Sequence, residues 1–343
     1  MTASPAPAPA RIAVIGAGLA GSLAALALAR RGAEVVLLEA GAEAATALSY
    51  GGVLGPSACR AWRQLERTHG PLGLRSARVL QHDGPAWRRS LPPRLQLLPT
   101  LGLTCLRLDV PTLLQALPAA QAAAGVARLA LRVQRLQPVS GGWRLELAAP
   151  SLAPSSLQVE QVVLAAGAGC RRLWPALGPR LRTSWAGVLQ LESVDATGRW
   201  AAPLRRGWLV LPRRWRRPAL EASAPQLTRA DWIVDAGLVP FAAGALAGQI
   251  TLVNPGVDAG PVPEAGWMEA RLRQGLARID PALAALPGRY RQVAVPFCPD
   301  GQPLLGPLPD APGLWPFSGF RAAFGVVPQL AEQLAESMLG PRS

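Results

Sequence analysis

The sequence predicts an α/β protein in two interleaved parts, a parallel βαβ core and an α+β region built on a mixed β-sheet. Three observations predict it. The apolar run Ile12-Ala13-Val14-Ile15 leads into a glycine-rich turn, followed by an alanine- and leucine-rich stretch of helical length. A second run, Glu34-Val35-Val36-Leu37-Leu38, ends at Glu39. Residues 183–253 are tryptophan-rich and strand-like, broken by Pro/Gly loops, which suits a sheet with an aromatic face.

The turn reads Gly16-Ala17-Gly18-Leu19-Ala20-Gly21. Gly16 permits the tight turn, Gly18 lets backbone approach a pyrophosphate, and Gly21 lets helix pack closely on strand. The helix start supplies free N–H groups and a positive dipole end for phosphates. Glu39, followed by Ala40, stands about 20 residues on, where an acid accepts a ribose hydroxyl. Flanked by strands and closed by an acid, the turn is a dinucleotide site.

Composition narrows the chemistry. The chain has 343 residues, enough to bury a large core in two intertwined domains. It contains no lysine: all 35 basic side chains are arginine. A Walker A lysine, a Schiff-base lysine and a lysine general base are therefore excluded. Two histidines, His69 and His82, and four scattered cysteines without CxxC spacing give no metal site; Cys59, Cys105, Cys170 and Cys298 read as reduced structural thiols. No apolar run approaches the ~20 residues of a membrane span. The Ala/Pro-rich first ten residues lack the basic and apolar regions of a signal peptide, so a disordered tail and a cytoplasmic location are expected. The net charge of +14 is mostly dispersed. Its one dense cluster, Arg205-Arg206 with Arg213-Arg214-Trp215-Arg216-Arg217, reads either as a solvated hairpin end or as a nucleic-acid grip with a stacking tryptophan.

Helical spacing recurs at residues 58–67. Asp109 stands where it would cap a helix carrying Leu113, Leu114 and Leu117 on one side and ended by Gly125. Strand patterns cover residues 126–136, 143–147 and 159–164, the last entering Ala165-Ala166-Gly167, where small residues let backbone approach a ligand. Helices are expected at 267–279 and 327–339, the latter with Pro328 in its first turn.

With these turns and the run Cys298-Pro299-Asp300-Gly301-Gln302-Pro303-Leu304-Leu305-Gly306-Pro307, the chain resembles the FAD-dependent D-amino-acid oxidase family, in the branch of glycine oxidase and sarcosine oxidase. The resemblance implies an FAD-binding Rossmann-like domain over residues 11–70, 107–182 and 291–343, and a substrate domain over 71–106 and 183–290. Tyr50-Gly51-Gly52-Val53-Leu54-Gly55-Pro56 is similar to the family's loop past the isoalloxazine ring. Val133 matches the strand residue whose backbone meets adenine, and Gly319, Phe320, Gly325 and Val326 fall in the C-terminal flavin loop. Implied too is oxidation of a C–N bond of a small amine or amino acid, with hydride passing to flavin N5, and stabilisation of the reduced ring's N1–C2=O edge by the start of the closing helix.

Three departures stand out. Val295 precedes Pro296 where the family commonly has a carboxylate-clamping arginine, leaving Arg289, Arg291 or Arg321 as replacement; Arg321 is the candidate substrate anchor. The 319–325 loop is bulky, and the lysine that assists reaction with oxygen in the sarcosine-oxidase branch is missing. Two alternatives follow: a flavin-dependent tRNA-modification enzyme gripping RNA through Arg205–Arg217, or an FAD-binding relative without turnover.

Overall fold

The computed structural model describes residues 11–41, 44–83, 105–148 and 155–340. The expected tail at 1–10 and most of the 71–106 stretch lie outside the described residues.

Strand Arg11–Ile15 is central to the first six-stranded sheet, pairing in parallel with Glu34–Leu38 on one side and Gln161–Leu164 on the other. Leu314–Ser318 and Ala127–Leu129 extend it in parallel, and Leu304–Leu305 closes one edge antiparallel. Ile12, Ala13 and Val14 are fully buried, which is why this strand reads as a continuous apolar run rather than an alternating one. Helix Leu19–Ala29 is buried nearly all round because it packs between the sheet and the closing helix.

The second six-stranded sheet runs Arg289–Phe297, Arg182–Leu191, Gly244–Val253, Asp231–Phe241, Leu209–Leu211, Val79–Gln81. Its pairs are antiparallel except the last, which is parallel, so the sheet is mixed as the sequence predicts. Three further strands, Arg132–Val139, Gly142–Ala148 and Ser156–Val159, form an antiparallel meander.

Several boundaries differ from the sequence reading, each for a local reason. Helix Ala265–Ala277 starts early because Glu264 caps it, its carboxylate accepting from Gly266 N at 2.7 Å. Asp109 does precede helix Val110–Ala123, but its side chain accepts from the Thr112 hydroxyl at 2.6 Å instead of a backbone N–H. The Arg205–Arg217 stretch is no hairpin end. It comprises helix Ala201–Arg205, strand Leu209–Leu211 and the approach to helix Arg217–Ser223. Arg205 pairs with Asp195 and Arg217 with Glu221, while the N–H groups of Arg216 and Arg217 donate to the buried Asp235 at 2.8 and 2.9 Å.

The closing helix spans Ala323–Leu339, so Pro328 lies inside it rather than in its first turn. A proline there cannot donate to the carbonyl four residues back, Phe324 O. The indole of Trp62, fully buried on helix Pro56–His69, donates to that carbonyl at 2.6 Å. A helix defect is thereby repaired from a distant element.

Burial favours the neutral form of both histidines. Burial pushes His69 and His82 below the ordinary 6.5, His82 Nε2 lying 2.7 Å from Ala236 O. Below 6.5 the unfolded chain binds more protons than the folded one, so stability falls as pH drops through and below that value. Because the chain has only two histidines, the effect is separable. Urea midpoints should fall between about pH 7 and pH 5.5, and fall less in the double variant His69→Gln, His82→Gln. All four cysteines are buried and unpaired, and burial raises the Cys170 and Cys298 thiols to about 11. Among the described residues no helix is long and apolar enough to cross a membrane.

Candidate functional site

A cavity of about 540 Å³ runs from the glycine turn to the Val293–Pro296 end of strand Arg289–Phe297. Three sheets therefore contribute to one site. The glycines explain the near end. Gly16 has φ +104°, and a Cβ there would meet Ala165 O at 2.5 Å. A Cβ on Gly21 would stand 1.8 Å from Gly16 O, inside the turn itself. Gly18 differs, its nearest neighbour on that side, Thr46 Oγ1, being 3.7 Å away. Its small size matters towards the cavity, where backbone must meet a ligand.

Thr46, in the 3₁₀ turn Ala45–Leu48, accepts from Leu19 N at 3.1 Å. That fixes the loop over the start of helix Leu19–Ala29, which no side chain at Gly18 caps. Glu39 lies on the cavity wall and pairs with Arg128 Nη2 at 2.5 Å through Oε2. A carboxylate has about four lone-pair sites, so capacity remains for a ribose hydroxyl. Val133 and Arg132 line the cavity from the meander, and Ser318 Oγ, buried on the wall, is within hydrogen-bond reach of the Cys170 thiol.

Gly16, Ala17, Gly18, Leu19, Ala20, Glu39, Ala40, Val133, Ala166, Gly167 and Phe320 all line this one cavity, with Gly21 packed directly behind the turn. Other sequence candidates stand elsewhere. Gly51 (φ +65°) packs against Leu108 O and Gly319 (φ +82°) against Cys298 Sγ; both are demanded by close approach rather than by the cavity. Gly52, Gly325 and Val326 are not on its wall. Arg321, the sequence's candidate anchor, turns away: its guanidinium lies over Gly301, with Nε 3.6 Å from Glu221 Oε2. Tyr50 packs against the second sheet, its hydroxyl 3.5 Å from Gly237 O, and burial raises its pKa.

Thr46, Arg132, Arg172 and Ser318 were not legible as site residues. Arg132 and Arg172 have no ion pair with any described residue, and with Glu39 they are the charged groups among the described wall residues. Arg172 sits on the short helix Cys170–Leu173, packed against strand Arg132–Val139. Two such cations on the wall of the cavity that the glycine turn opens fit the diphosphate of FAD. Charge-assisted hydrogen bonds contribute about 1.5–3 kcal/mol each. Replacing both arginines with alanine should therefore weaken FAD about a hundredfold or more, with little change in riboflavin affinity, as read by fluorescence titration.

The sequence matches the FAD dependent oxidoreductase family (DAO) over residues 11–99. It is 29% identical to glycine oxidase of Pseudomonas aeruginosa, covering 96% of this chain and 95% of that protein. Among solved structures, glycine oxidase from Geobacillus kaustophilus superposes with a TM-score of 0.64 at 18% identity, covering 96% of this chain and 94% of that one. Iminodiacetate oxidase from Chelativorans sp. gives 0.62 at 19% identity, with 97% and 96% covered. At those identities the likeness is one of fold. On this fold, with this cavity, the chain is an FAD-dependent oxidoreductase similar to those of the DAO family.

Proposed function

We propose that FAD lies along the cavity, its adenosine end at Glu39 and Val133 and its ring at Val293–Pro296, and that the protein oxidises the C–N bond of a small amine or amino acid. The observation that carries this reading is the continuity of the cavity from the glycine turn on one sheet to the end strand of the other. The relative of near-equal length, a glycine oxidase, supports the substrate class. Bound FAD supplies a two-electron acceptor: the C–H bond of the nitrogen-bearing carbon breaks, its pair leaves as hydride, and the nitrogen lone pair forms C=N.

This chain's residues then have positioning and electrostatic tasks. The start of the 17-residue helix Ala323–Leu339 meets the cavity at Ala323 and Val327. Its free N–H groups and dipole favour negative charge on a ring edge. The apolar wall formed by Val293, Val295 and Phe320 keeps water from the reacting carbon. No member of the Arg205–Arg217 cluster is on this wall, so nothing in the geometry favours an RNA substrate.

The test is anaerobic mixing of the holoprotein with amines and amino acids. Bleaching of the flavin band near 450 nm, on the order of one substrate per flavin, is the expected outcome. A flavin that dithionite bleaches and no amine or amino acid does would contradict the reading.

A further inference from the structure

The ring end of the cavity has a consistent chemical character. Strand Arg289–Phe297 gives it Val293, Ala294, Val295 and Pro296 in succession. Behind Val293 the same sheet continues as one apolar cluster, with Val188, Leu209, Val239 and Leu246 each 2% exposed or less. The guanidiniums near that end are committed elsewhere. Arg291 donates to Gln190 Oε1 at 2.9 Å, Arg182 donates to the carbonyls of Ala224 and Gly256, and Arg321 lies against Glu221. The wall's own cations, Arg132 and Arg172, stand on the meander strand and on the short helix packed against it.

A carboxylate brought to Val293 and Val295 would lose its water against a strand segment, Val293-Ala294-Val295-Pro296, whose side chains carry no donor, and such desolvation is costly. An apolar substituent there would be favoured by the same wall. We propose that the amine oxidised by this protein carries no carboxylate, its nitrogen-bearing carbon bearing an apolar substituent seated on Val293 and Val295. The proposal rests on the amine-oxidising reading above and names its substrate class. The bonds are those already given: C–H breaks, C=N forms, and the pair reduces bound FAD, so a single anaerobic turnover needs no further oxidant.

The experiment is anaerobic stopped-flow reduction of the holoprotein by matched pairs. One member is carboxylate-free (N-methylbutylamine, benzylamine) and the other carries a carboxylate on the same carbon (N-methylnorvaline, phenylglycine as racemate). The carboxylate-free member should win by about a hundredfold or more in reduction rate over dissociation constant. Benzyl alcohol should perturb the oxidised flavin spectrum where benzoate does not. The variant Val295→Arg should narrow or reverse the preference; the wild-type pairs decide the matter even if that variant does not fold. Equal or faster reduction by the carboxylate members overturns the proposal and leaves the amine-oxidising reading standing. Reduction by neither member, with dithionite still bleaching the flavin, removes both.

Discussion

Gly21→Ala is expected to strip the protein of FAD. The added carbon would stand 1.8 Å from Gly16 O and 3.3 Å from Ala165 Cβ, so helix Leu19–Ala29 has to move off the turn. Both partners are backbone or short, and none can rotate away. Overpacking of this kind costs about 3 kcal/mol or more, and the shift also withdraws the helix start from the diphosphate. FAD affinity should fall at least about a thousandfold, counting the lost anion contacts. Gly32→Ala is the control: φ there is +83°, but nothing lies within 4 Å of the added carbon. It should cost about 1 kcal/mol of stability and leave FAD binding unchanged. Equal FAD loss in both variants would mean that glycine content, not close approach, governs the turn.

The second large effect concerns Trp62. Phe324 O is orphaned by Pro328 and satisfied by the Trp62 indole, in a fully buried contact whose rings stand 6.3 Å apart. Trp62→Phe keeps most of the packing but leaves the carbonyl unpaired, a loss of about 1–3 kcal/mol. Trp62→Ala adds a cavity and should cost about 3–5 kcal/mol. Urea unfolding measures both. A double-mutant cycle isolates the hydrogen bond, because Pro328→Ala restores an N–H able to reach Phe324 O. In that background Trp62→Phe should cost clearly less. An unchanged cost would show that the indole contributes through packing alone.

Much of the fold was legible, and the reason is local. A strand buried on both faces has to be a continuous apolar run, and Ile12–Ile15 and Val35–Leu38 are such runs beside a turn only glycine can make. The near end of the site follows from the same few residues. The rest of the site was less legible because it is assembled from side chains distant in sequence. Thr46 reaches Leu19 N across 27 positions, and Arg132 and Arg172 carry no motif to distinguish them from the chain's other arginines. Arg321 illustrates the converse: its place in the sequence suggested the site, and a buried acid, Glu221, draws it elsewhere. Pro328 misled for a physical reason as well, since proline usually marks a helix start and here its missing donor is compensated by Trp62.

The most direct measurement is equilibrium titration of the apoprotein with FAD, FMN and riboflavin, followed by flavin fluorescence. The cavity joins Glu39 and Val133 to Val295, so the proposed placement of FAD has both its adenosine half and its ring half gripped. FAD should bind at least about a hundredfold more tightly than FMN, and FMN more tightly than riboflavin. Equal affinities for FAD and FMN would mean that the glycine turn and Glu39 hold no nucleotide, which contradicts the account at its centre.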